Sequence, residues 1–236
     1  MEIKVGIAKT SKYAMEVCGD TCDIVERPYG GISAIVADGQ GNGVAAHHTS
    51  GWVVNKAVSL ISDGARDGAV ARAVHDYLYA MKDHRVSCTL TILSADLDSE
   101  TAVISRNSNC PVLVHTEEYD TVYDEDVQPI GVHKHMKPLM YEIPLEAGMI
   151  IVSFTDGILH AGRKRNGHGA ELEEIQKIIA DNGPEDAAYI AKAIMDYALT
   201  LDQDKASDDM TVAVLGITDG SPSSPRIEQL ELTYPY

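Results

Sequence analysis

The chain has 236 residues, with 36 Asp and Glu against 19 Lys and Arg and a formal net charge of −17. Such a surface repels phosphate backbones and anionic lipid, which argues against nucleic-acid and membrane partners. The length suits one domain with a sizeable core of Ala, Val, Ile and Leu, since the chain holds one Trp and one Phe.

In chain order, short strands are predicted at 3–8, 13–18 and 31–37, alternating or running apolar between turn signals. Helices follow at 43–62 and at 68–82, where Val70, Ala73, Val74, Tyr77, Leu78 and Met81 recur at helical spacing. Strands come next at 87–95, 100–107 and 111–115, then an acidic loop at 117–127, then strands at 139–143 and 149–155. A basic loop at 162–169 precedes two helices, the first with Leu172, Ile175, Ile178 and Ile179 on one face. Asn182-Gly183-Pro184 ends that helix and opens the second, whose first turn carries Glu185 and Asp186. The last core strand is 210–217, and 219–236 reads as a Pro/Ser linker with room for one added strand. Strands and helix pairs in blocks, without regular βαβ alternation, favour an α+β domain with a largely antiparallel sheet and helices outside it.

No apolar run approaches membrane-spanning length, and MEIKVGIAKT lacks the pattern of a signal peptide, so a cytoplasmic location is expected. Cys18, Cys22, Cys88 and Cys110 form no CxxC pair and read as reduced thiols. A zinc site on Cys18 and Cys22 lacks two further ligands at suitable spacing.

The stretch ISAIVADGQGNG runs an apolar strand into Asp38 and then into alternating glycines. It is not a dinucleotide fingerprint, because Val44 stands where the last glycine belongs. A P-loop would need Gly-Lys-Ser/Thr, and a calcium loop from Asp38 would need Glu where Thr49 stands. A carboxylate beside backbone carbonyls freed by glycine suits a hard cation; the alternative is that Asp38 caps the next helix. Two more strands end in acids: Asp156 follows MIIVSFT, and Asp208 and Asp209 precede MTVAVLGI. In antiparallel neighbours these opposite ends share one edge, and Asp20, read as lying in the turn after a strand, can reach it. Crowded like charges resist ionisation, and divalent cations relieve the conflict. Otherwise each acid is a separate turn or cap residue.

These residues resemble the metal-dependent serine/threonine phosphatases of the type 2C superfamily, in particular its stage II sporulation protein E-like bacterial branch. The matching blocks are GD at 19–20, VADGQGNG at 36–43, SCTLTIL at 87–93, PIGV at 129–132, FTDGI at 154–158 and DDMTVAVL at 208–215, in the family's order. The resemblance implies a four-layer αββα sandwich, two mostly antiparallel sheets flanked by helix pairs, with residues 1–218 as the catalytic domain. It implies two Mn²⁺ or Mg²⁺ ions, with Asp38 bridging them and Gly39 offering its carbonyl. Asp20, Asp156 and Asp208 complete the protein ligands, while Asp209 stands beside the site or holds a further, weaker ion. Asp38 and Asp156 carry the catalysis, in which a bridging water attacks phosphorus directly. The implied partner is a phosphorylated protein, such as an anti-sigma-factor antagonist or another switch-module component; the oligomeric state is left open. A phosphatase-like scaffold without turnover and a small-phosphoester hydrolase are the alternative readings.

Three departures stand out. NSNCP at 107–111 replaces the family's frequent Asn-Ala-Gly-His-Pro-Pro, and no arginine matches the phosphate-holding one of eukaryotic relatives, since Arg27 reads as a loop residue and Lys4, Lys9 and Lys12 carry no motif. The chain also has no space for a sensor domain and reads as a standalone catalytic domain. Several residues take simpler readings: His133 and His135 as loop decoration, His47 and His48 as helix surface, and Thr89 and Thr155 as strand packing with local hydrogen bonds. Arg163, Lys164 and Arg165 read as a solvated loop or as a contact for an acidic or phosphorylated partner.

Overall fold

The computed structural model describes residues 1–220 and 228–233. Two five-stranded sheets form the centre. One has the order β1 (Glu2–Thr10), β10 (Met210–Thr218), β9 (Ile150–Phe154), β6 (Val112–His115) and β7 (Asp120–Tyr123). The other has the order β2 (Asp20–Glu26), β3 (Gly31–Asp38), β4 (Leu90–Asp96), β5 (Thr101–Asn107) and β8 (Leu139–Pro144). Every pairing between these strands is antiparallel.

The alternation of apolar residues builds three cores and therefore four layers. On β3 and β4, Ile35, Ala37, Leu90 and Ile92 face α1 (Gly43–Ser62) and α2 (Asp67–Met81), packing on Val53, Ile61, Val74 and Leu78. Their neighbours Ala34 and Leu93 point the other way and meet Val112, Ile151, Leu215 and Ile217 between the sheets. On the far side Val152, Phe154, Val212 and Val214 pack under α5 (Leu172–Ala180) and α6 (Ala187–Leu201), chiefly on Ile175, Ile190 and Ile194. This is the expected αββα sandwich.

Four local expectations are corrected. Residues 13–18 are turns and bends, not a strand: Ala14 sits at φ 65°, and Tyr13 N–H donates to the Ala206 carbonyl at 2.8 Å, so the segment has no sheet neighbour. The strand comes later, and Asp20 opens β2 rather than lying in a turn after a strand. The acidic loop at 117–127 contains the edge strand β7, paired to β6 from Val112↔Tyr123 to His115↔Asp120. Short helices α3 (Asp156–Leu159) and α4 (Arg163–Asn166) replace parts of the expected loops. In the tail, 228–233 carry neither helix nor strand, and the rest of the suggested extra strand lies outside the described residues.

Arg27 does not serve the acidic end. Its guanidinium lies 3.3 Å from Asp67 and 3.1 Å from Asp96 and donates to Ser33 and Ser94. Residues 21–26 of β2 separate it from Asp20, roughly 20 Å of extended chain. His133 and His135 are exposed in a loop, in keeping with the decorative reading, and the four cysteines are free thiols. Among the described residues no helix is long and apolar enough to cross a membrane.

Candidate metal centre

Sheet register brings the acids together. In the β2–β3 pairing Asp20 stands directly opposite Asp38, so two carboxylates share the last rung of one ladder. Directly opposed like charges destabilise a sheet pair unless something neutralises them. From the other sheet, β9 and β10 run antiparallel with Phe154 opposite Val212. Asp156, just past the end of β9, therefore lies beside Asp208 and Asp209, just before β10. The packing at Gly157 is so close that a Cβ there would meet the Asp209 carbonyl oxygen at 1.9 Å.

Two threonines join the sheets at this point. Thr155 Oγ1 and Thr211 Oγ1 each donate to Asp20 Oδ2 at 2.8 Å, and Thr211 N–H donates to Thr155 Oγ1 at 2.9 Å. Asp20 is 1% exposed, so these bonds supply the donors that burial takes from water. Thr155 is thus more than strand packing, and Thr211, which no sequence motif singles out, is its partner. The signal available was a threonine next to an acid at two strand ends, TD at 155–156 and DMT at 209–211.

Asp38 is positioned by its backbone. Its N–H donates to Thr89 Oγ1 at 3.2 Å, and Thr89 N–H returns a bond to the Asp38 carbonyl at 2.9 Å. Asp38 does not cap the helix that follows: Asn42 occupies that place on α1. Gly39 bridges to Cys88, and α1 descends so closely that a Cβ on Gly39 would lie 2.2 Å from the Ala46 carbonyl oxygen. Glycine is required there because the helix start and the strand end occupy nearly the same space. His47 Nδ1 lies 3.0 Å from the Cys18 carbonyl oxygen, tying α1 to the approach to Asp20, whereas His48 is exposed.

The electrostatics follow from burial and crowding. Burial, then repulsion from Asp20, Asp156, Asp208 and Asp209, pushes the Asp38 carboxyl up to about 8 from an ordinary 3.8. Burial raises Asp20 to about 6, and repulsion from Asp209 and Asp156 adds to it, while the two threonine hydroxyls act in the opposite direction. Asp156 is raised by burial; His160, with Nδ1 3.8 Å from Asp156 Oδ2, offsets part of this.

Asp209 is 7% exposed and accepts the Lys12 N–H at 2.9 Å, whereas the Asp208 side chain is 44% exposed. The structure therefore places Asp209 deeper than Asp208. Lys12 reaches the same rim: its Nζ donates to Asn42 Oδ1 at 3.0 Å and lies 3.7 Å from Asp208 Oδ1. Nothing in the local sequence distinguishes Lys12 from Lys4 or Lys9.

The donor set is all oxygen, which suits Mg²⁺ or Mn²⁺. Among the described residues no three His, Cys, Asp or Glu side chains close tightly enough to enclose one ion, so the acids ring a shared basin rather than form a cage. Mg²⁺ is commonly bound through one or two carboxylates while keeping several waters, and a basin meets that requirement. The raised carboxyls of Asp38, Asp20 and Asp156 are the other sign of fit, because burial and mutual repulsion oppose their ionising together while the Lys12 ammonium lies against Asp208.

Residues 28–218 match the family "Stage II sporulation protein E (SpoIIE)". The chain is 21% identical over 220 residues to stage II sporulation protein E of Bacillus subtilis, covering 93% of this chain and 26% of that protein. It is 24% identical over 216 residues to the phosphoserine phosphatase RsbU of Bacillus subtilis, covering 91% of this chain and 64% of that one. The chain thus spans from about a quarter to under two thirds of these relatives. The solved PP2C phosphatase domain of Bacillus subtilis SpoIIE, with a fragment of its regulatory domain, superposes with a TM-score of 0.79 at 21% identity, covering 92% of this chain and 64% of that one. The catalytic domain of the serine threonine protein phosphatase PstP, solved with two manganese ions, superposes at 0.72 and 15% identity, covering 92% and 99%. The PP2C fold is common to all three.

Proposed function

The chain belongs to the stage II sporulation protein E family, and from that premise we propose that it is a divalent-metal-dependent phosphatase acting on phosphoserine or phosphothreonine of a bacterial regulatory protein, in the cytoplasm. The observation that carries this reading is the meeting of Asp20 and Asp38 from one sheet with Asp156, Asp208 and Asp209 from the other, where burial and crowding raise the carboxyls of Asp38, Asp20 and Asp156. Among the described residues no lysine or arginine pairs with Asp20, Asp38 or Asp156, and a purely structural role gives no reason to gather them.

Asp38, Asp20, Asp156, Asp208 and Asp209, with the Gly39 carbonyl, would hold Mn²⁺ or Mg²⁺. When bound, such ions polarise a phosphoryl group and acidify a water for direct attack on phosphorus. The chain's own residues prepare the site for them. Thr155 and Thr211 both bond Oδ2 of Asp20, which leaves Oδ1 without a protein donor among the described bonds. Thr89 fixes the Asp38 backbone on both sides of its peptide. Asp38, raised to about 8, keeps its proton at neutral pH, whereas Asp20, at about 6, has largely lost its own; cation binding would therefore be coupled to proton release chiefly from Asp38.

The test is release of p-nitrophenol from p-nitrophenyl phosphate with Mn²⁺, abolished by EDTA and by Asp38→Asn. A phosphopeptide turned over with a higher kcat/KM than small phosphoesters supports the protein-substrate assignment; the reverse order supports small-phosphoester hydrolysis. Full activity in Asp38→Asn would remove the bridging role from that residue.

A further inference from the structure

Beside the acidic basin lies a groove of opposite sign. It has an open volume of about 240 Å³ and is lined by Lys12, Tyr13, Lys164, Arg165, Lys205 and Ser207. Four of the 19 basic residues of a chain with net charge −17 meet here. We propose that this groove binds acidic side chains flanking the phosphorylated residue of a protein substrate; the proposal rests on the phosphatase reading.

The groove is prebuilt. Asp202 is fully buried and accepts from Gly162 N–H at 2.9 Å and from Ser207 N–H at 2.6 Å, so one carboxylate fixes the two loops that form the walls. Lys164 Nζ donates to the Ser207 carbonyl at 2.9 Å across the groove. Lys205 Nζ stands 5.4 Å from the centroid of the Tyr13 ring, within range of a cation–π contact. The Tyr13 turn joins these two loops through the bond from its N–H to the Ala206 carbonyl. Among the described residues Lys164, Arg165 and Lys205 enter no ion pair, and all three are exposed.

The groove is also continuous with the centre. Ser207 directly precedes Asp208, and Lys12 belongs to both, with its backbone on Asp209 and its ammonium near Asp208. A peptide whose phosphorylated residue entered the basin would lay its neighbours along this wall, at about 3.3 Å per extended residue. The chain's overall field repels an acidic peptide, so attraction for one has to be local. Cations gathered next to a metal site would weaken metal binding by like-charge repulsion, and an acidic segment laid between them offsets that repulsion.

The test uses two fluorescein-labelled phosphoserine decapeptides, one flanked by Glu and the other by Gln at the same positions. Binding is followed by anisotropy in EDTA, so the result stands whether or not the chain turns over p-nitrophenyl phosphate. The Glu-flanked peptide is expected to bind about tenfold tighter at low salt, with the ratio shrinking toward one at high salt. The ratio is also expected to fall toward one in the triple variant Lys164→Gln, Arg165→Gln, Lys205→Gln; Lys205→Glu alone, an exposed change, is expected to lower it part of the way. Equal affinity for the two peptides, or a ratio that survives both variants, overturns the proposal. Absence of Mn²⁺-dependent turnover with an intact ratio would instead sink the phosphatase reading and leave an acid-binding groove.

Discussion

Asp38→Asn should stabilise the metal-free protein, and increasingly so as pH rises. A carboxyl raised to about 8 from 3.8 keeps its proton in the folded state while the unfolded chain has already lost it. Between those values the folded state binds more protons, so stability falls as pH increases, the reverse of an ordinary ion-paired carboxylate. The slope for an isolated site is about 1.4 kcal/mol per pH unit, so from pH 5 to pH 8 the loss approaches about 4 kcal/mol. Asp38 is partly exposed and shares its repulsion with four other acids, which reduces the expectation to about 2 kcal/mol. Asparagine approximates the neutral acid and escapes this loss. For a domain of this size the gain corresponds to a Tm difference of about 4–8 °C that opens between pH 5 and pH 8. Thermal unfolding in EDTA at both pH values measures it, and Mn²⁺ should reverse the ranking by stabilising the parent alone. A Tm difference independent of pH, or a variant less stable than its parent at pH 8 without metal, would refute the account of a crowded, uncompensated basin.

Removing both hydroxyls with Thr155→Val and Thr211→Val leaves the buried Asp20 carboxyl without donors. We expect a stability loss of about 1–3 kcal/mol by urea unfolding and Mn²⁺ affinity weakened at least tenfold by calorimetry; unchanged affinity would make the threonines merely structural. Mn²⁺ affinity of the parent should rise from pH 6 to pH 8, with proton uptake by the buffer visible as a heat that scales with buffer ionisation enthalpy; a flat profile would contradict the raised carboxyls. Arg27→Leu strands the buried Asp67 at the opposite end and should cost about 3–5 kcal/mol by denaturant unfolding while leaving Mn²⁺ affinity unchanged, and a large loss of affinity there would mean that the two ends of the sandwich are coupled.

Much of the fold was legible in the chain because each strand and helix writes its own period. Residues 32–37 run almost continuously apolar, which marks a strand buried on both faces, and Val70, Val74 and Leu78 recur at helical spacing; neither signal needs a partner to be read. The acids at strand ends were legible for the same reason: a polar residue closing an apolar run is visible locally. Misreadings fell where local pattern and tertiary pairing part. Residues 13–18 alternate but find no neighbour, while Asp120–Tyr123, amid acids, gains strand form only through its pairing to β6.

The sequence by itself thus determined the α+β class with an antiparallel sheet and outer helices, and the presence of carboxylates and a glycine turn at strand ends; the four layers came from the family resemblance. Only the tertiary structure decided that Asp20 opposes Asp38, that Thr155 and Thr211 hold Asp20 from 135 and 191 residues away, and that Lys12 meets Asp209 across 197. The physical reason is that periodicity records which face a residue turns to water. Register and the choice of partner across a sandwich are set by closing long loops, and that information is spread over the whole chain.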